Sequence, residues 1–156
     1  MTSTVSSATR MTTLVRLLCA LAALPFTQAA VRAQTLVLIV NPSIGVDHLS
    51  RRQAVDIFLG RYRTFPSGPS ALPIDLDVNS TERTQFYLIL AHKDSSEMSS
   101  YWARLTFTGR ISPPFAVADA RAAVELVEHN QNAIAYVDRA AVQDNPRVRI
   151  ALEVTP

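Results

Sequence analysis

The apolar residues of this 156-residue chain fall into short segments of two different periods. "TLVLIVN", residues 35 to 41, is an unbroken β-branched and leucine run closed by Asn-Pro, the pattern of a strand buried on both faces. In "LSRRQAVDIFLG", Ser50 and Gln53 form a capping box, Ala54, Val55 and Phe58 make an apolar stripe, and Gly60 ends the predicted helix. Residues 61 to 71 read as a loop rich in Pro, Ser and Gly. "LPIDLDV" alternates Leu72, Ile74, Leu76 and Val78 with other residues, which predicts a short strand, half buried or at a sheet edge. A helix follows from Ser80 to about Ala91, with Phe86, Tyr87 and Leu90 inward.

The clearest helical spacing is Met98, Tyr101, Trp102 and Leu105, at i, i+3, i+4 and i+7 after a Ser/Asp-rich start. "FTGRISPP" is a loop, because Gly109 and Pro113-Pro114 forbid regular structure through it. Asp119 caps "ARAAVELVEHN", a helix whose inner face is Ala120, Ala123, Val124 and Val127. "AIAYV" (133 to 137) is a second buried strand, "DRAAV" a helical turn, and "VRIALEV" (148 to 154) a last strand. Strands alternating with helices predict an α/β, layered αβα domain with a mainly parallel sheet.

Residues 1 to 33 stand apart. Arg10 and Arg16 precede the apolar run Leu17 to Phe26, and small residues follow, the order of a secretory signal peptide. The run is too short to span a bilayer. Cleavage is expected after Ala33, with Ala29 as second choice, and Leu17-Leu18 is a poor lipidation context for Cys19. The domain is therefore expected over residues 34 to 156, in the periplasm or secreted. Losing Arg10, Arg16 and Arg32 takes the 15 basic side chains to 12 against 13 acidic ones, so the basic balance belongs to the leader. A near-neutral chain argues against nucleic acid or an anionic membrane as partner. The remaining chain also lacks cysteine, and so disulfides and thiolate metal sites.

Catalytic patterns are missing. His48, His92 and His129 lie far apart without metal-ligand spacing, and there is no GxSxG elbow, Walker loop or GxGxxG fingerprint. No metal, cofactor or enzymatic activity is expected. Asp75 and Asp77 alternate along a strand and could work as a carboxylate pair, but read more simply as a solvated strand edge. Asn79-Ser80-Thr81 is formally a glycosylation sequon. The one stretch that points at a ligand is "DVNSTERTQFY", residues 77 to 87. A helix N-terminus offers open N–H groups and partial positive charge to a phosphate or carboxylate, with Ser80 and Thr81 as hydroxyl donors and Arg83 as charge. The simpler alternative is that Ser80 or Asn79 only caps the helix.

"LIVNPS", "LSRRQAVDIFLGR", "FPSG", "LPIDLDVNSTERTQFY", "YWARLTFTGRISPP" and "NAIAYVD" together resemble, in sequence and order, small exported relatives of the PstS-type phosphate-binding component of ABC transporters. The resemblance runs from about Thr35 to Asp138 and implies one lobe of a type II periplasmic binding protein, with phosphate or another small oxyanion as ligand and a transporter or envelope protein as partner. Within it, Ser80 matches the family's serine and Arg83 its following arginine. Thr81 and Glu82 stand where glycine and threonine are expected, and the upstream arginine is absent, with Leu76 and Asp77 in that region. Asp77 and Glu82 would repel a dianion. The resemblance thus leaves two functions open: solute binding by an incomplete cradle, or an envelope interaction module that kept the fold and lost the ligand. Closure around a ligand would need a second copy or another protein as the opposite wall.

Overall fold

A computed structural model describes residues 35 to 109 and 111 to 156; the predicted signal peptide lies outside the described residues. The strands are β1 (Leu36–Val40), β2 (Leu72–Leu76), β3 (Phe115–Val117), β4 (Ala133–Asp138) and β5 (Arg149–Val154). The helices are α1 (Arg51–Phe58), α2 (Thr81–Ala91), α3 (Ser95–Phe107) and α4 (Ala120–His129), with 3-10 turns at Pro42–Ile44 and Arg139–Val142. They form one five-stranded sheet in the order β3-β2-β4-β1-β5. β2 pairs in parallel with β3 and β4, whereas β1 is antiparallel to both β4 and β5. Four strands therefore run one way and β1 runs against them.

The layers follow from this order. The connection from β2 through α2 and α3 to β3 moves outward along the sheet, and the one from β3 through α4 to β4 moves back across β2. Parallel crossovers are right-handed, so connections of opposite direction place their helices on opposite faces. On the α2 face, Phe86 stacks on Tyr136 with centroids 3.8 Å apart, and Phe58 of α1 meets Phe86 edge-on at 4.8 Å. On the other face, α4 buries Ala123, Val124 and Val127. β1 and β4 are buried along almost their whole length, as their unbroken apolar runs predict.

Local signals held where the chemistry was explicit. Ser50 and Gln53 make the capping box of α1, Asp94 and Glu97 make another at α3, and Asp119 caps α4 by accepting from the Ala122 N–H at 2.9 Å. After α1 the Gly60 N–H donates to the Ile57 carbonyl and the Arg61 N–H to that of Asp56, closing the helix with Gly60 at φ +70°. A Cβ there would sit 2.8 Å from Ile111 Cγ2 and 3.2 Å from Trp102 Cη2. Gly60→Ala is therefore expected to lose about 2–3 kcal/mol in urea denaturation, from the left-handed backbone plus overpacking.

Two expectations fail. β3 occupies residues assigned to no element, and β2 is interior, flanked on both sides. Pro73 is compatible with that place. Leu72 donates toward β4, to the Asn132 carbonyl at 2.7 Å, so the missing N–H of Pro73 faces the β3 side, where pairing begins only at Ile74.

Candidate functional site at the amino end of helix α2

The helices that follow β2 and β3 lie on opposite faces of the sheet, and the carboxyl ends of two such adjacent strands are the usual ligand position in open α/β sheets. The Asp77–Ser80 loop leading into α2 follows β2, and the Asp119 cap of α4 follows β3. Ser80 is extended, with φ −69° and ψ 135°, and caps α2 by accepting from the Arg83 N–H at 3.0 Å. Its hydroxyl donates to Glu82 Oε2 at 3.1 Å, so both functions of that hydroxyl are engaged. Asp77 is exposed and accepts from the Asn79 N–H at 2.9 Å and from Asn79 Nδ2 at 3.1 Å, which shapes the loop. Thr81 is exposed, and the first-turn N–H groups of Thr81 and Glu82 have no acceptor among the described residues.

Arg83 is not a surface arginine. It is 7 % exposed, and its Nε donates to Asp75 Oδ2 at 3.0 Å. Asp75 is 5 % exposed and is the hub of a buried network. Tyr87 donates to Oδ2 at 3.1 Å, Tyr136 donates to Oδ1, and the Leu76 N–H lies 3.1 Å from Oδ1 and 3.2 Å from the Tyr136 hydroxyl oxygen. The guanidinium carbon lies 5.2 Å from the centre of the Tyr87 ring. Arg83 Nη1 is buried and has no hydrogen-bond partner among the described residues.

This overturns the reading of Asp75 and Asp77 as a solvated edge, and equally as a working pair. Asp75 is buried beneath α2, whereas Asp77 lies beyond the end of β2 in the loop. The network also sets protonation. Burial opposes the Arg83 charge, but the Asp75 carboxylate more than reverses this and holds the guanidinium above its ordinary value. Burial first, and the Asp75 charge second, push the Tyr87 and Tyr136 hydroxyls upward.

Of the three predicted site residues, Ser80 and Thr81 stand at the amino end of α2 and Arg83 lies beneath them, already paired. The sequence reading missed the roles of Asp75, Tyr87 and Tyr136. The available signal was an aspartate between Ile74 and Leu76 in an apolar strand, with an arginine eight residues later. Among the described residues there is no His, Cys, Asp or Glu group able to hold a metal, and no helix long and apolar enough to cross a membrane.

Solved structures match this architecture. An ABC-type phosphate transport receptor from Vibrio cholerae superposes with a TM-score of 0.61 at 19 % identity, covering 76 % of this chain and 45 % of the receptor. The fold is that of one lobe of a type II periplasmic binding protein. A phosphate ABC transporter substrate-binding protein with bound phosphate from Clostridium perfringens gives 0.61 at 18 % identity over 79 % of this chain and 48 % of its own. PstS from Borrelia burgdorferi gives 0.55 at 11 %, over 79 % of this chain and 49 % of its own. The lobe thus spans less than half of each binding protein. No family model and no curated protein matches the sequence.

Proposed function

We propose that this protein is an exported, non-enzymatic solute-binding lobe, with residues 34 to 156 as its mature domain, that holds phosphate or another small oxyanion at the amino end of α2 for an ABC transport system. The observation that carries the reading is the position of that helix end, with its open first-turn N–H groups, beyond the carboxyl end of β2. Thr81 and the open N–H groups of the first turn would donate to the anion, Ser80 would fix the turn that presents them, and Arg83 would supply positive charge from below. Phosphate-transporter proteins as structural neighbours support the choice of ligand class.

A thermal-shift titration with phosphate, sulfate and acetate tests this. A ligand at one hundred times its dissociation constant adds about 2.7 kcal/mol, so a rise in Tm of several degrees is expected at millimolar anion. No rise with any of the three, at matched ionic strength, would sink the reading.

A second reading is favoured by the Asp75–Arg83 pair and by the engagement of Ser80 with Glu82: an envelope interaction module that keeps the fold without a ligand. It predicts a stoichiometric partner recovered from envelope extracts, with recovery independent of added anion.

A further inference from the structure

We propose a second ligand site, independent of the oxyanion reading: the groove between α4 and the Arg139–Val142 turn binds short peptides with free ends, dipeptides of apolar residues above all. A cavity of about 580 Å³ lies there, within the size range of small-molecule sites. Val124 and Ala141 give it an apolar lining, and Arg121, Glu125, Glu128 and Arg147 bring two charges of each sign. Two of the four are already matched. Glu128, whose side chain is 15 % exposed, accepts from Asn145 Nδ2 at 2.8 Å and pairs with Arg147 Nη1 at 3.5 Å. Arg121 and Glu125 make no ion pair among the described residues, with each other or with that pair.

These two residues stand one turn apart on α4, the arginine ahead of the glutamate. That is the weaker order for an i, i+4 pair, because it sets both charges against the helix dipole. The groove therefore presents one open cation and one open anion about 6 Å apart along the helix. A simple anion entering it meets Glu125, and a simple cation meets Arg121. A zwitterion satisfies both when its ends are spaced to match, and the ends of an extended dipeptide lie about 7 Å apart. Its carboxylate would take the Arg121 guanidinium in a forked pair, its ammonium the Glu125 carboxylate, and its side chains the Val124 and Ala141 surface. A free amino acid carries its two charges too close together to reach both.

The test is a nitrogen-15 NMR titration of the protein with alanylleucine, beside the N-acetylated and C-amidated forms of the same dipeptide. Amide shifts are expected along α4 from Arg121 to His129 and at Ala141, and not at Thr81 or Glu82. Acetylation and amidation should each weaken binding about five-fold, the size of one exposed charge pair. Arg121→Gln should make the protein indifferent to amidation, and Glu125→Gln indifferent to acetylation. Both positions are exposed, so neither substitution threatens the fold. An absence of shifts along α4 at millimolar dipeptide overturns the proposal. Binding that responds to acetylation and amidation in both variants as it does in wild type overturns it as well, because the charges are then met elsewhere. The oxyanion reading makes no use of α4, so either result leaves it standing.

Discussion

Asp75→Asn is expected to lower the folding stability of the protein by about 3–5 kcal/mol, the usual range when one partner of a buried ion pair is removed. The pair itself is not the source of so large a number, since two buried charges recover little beyond what their desolvation costs. The loss comes from what stays behind: Arg83 remains charged with its Nε unmatched, and the Tyr87 and Tyr136 hydroxyls lose a full anionic acceptor. Urea denaturation should show a lower midpoint with an unchanged slope, which marks a change in stability rather than in the surface exposed. The double variant Asp75→Leu with Arg83→Met should recover part of the loss, because it removes the orphaned charge together with its partner. If Asp75→Asn alone loses under 1 kcal/mol, the network is not a structural hub.

Alkali should unfold the protein earlier than its surface chemistry would. Tyr87 and Tyr136 have folded-state values raised above the unfolded value of 10.0, so the native state keeps protons that the unfolded chain releases. Their contribution is complete below about pH 10 and is lost as pH rises toward the folded values, because the unfolded state then binds fewer protons. With both tyrosines contributing, stability should fall by up to about 2.7 kcal/mol per pH unit above that point. Urea midpoints at pH 9, 10.5 and 11.5 measure the slope, and Tyr87→Phe should roughly halve it. A slope that ignores this substitution would show that the hydroxyl is not held in its neutral form by the fold.

The two predictions converge on residues that the sequence displayed without revealing how they meet. Capping and closure were legible because they are local: Ser50 with Gln53, Asp119 and Gly60 each carry their partner within a few positions. Buried strands were legible from β-branched runs at residues 36 to 40 and 133 to 137. β3 was not, since three residues behind Pro113-Pro114 show no period and owe their strand state to β2 alongside. β2 was misplaced because Pro73 and Asp75 are ordinarily marks of an edge. Their burial is set by partners distant in the chain, Ala133 to Ala135 in the ladder and Tyr136 at the carboxylate. Ser80, Thr81 and Arg83 were correctly placed at one helix end, but that Asp75 had taken up the arginine depends on a strand and a helix crossing at one point, which spacing cannot express.

The position of β1 bears on how the chain acquires its structure. It is the first described strand, yet its neighbours are β4 and β5, with Leu36 set against Asp138 on one side and Val154 on the other. Closing such distant pairs requires ordering nearly everything between them, which makes the middle of the sheet a slow and late event. A chain emerging from the ribosome amino end first would hold β1 without a neighbour until β4 had been made, and without its second neighbour until β5. The same topology that buries β1 on both sides thus makes it the strand whose burial waits longest for its partners.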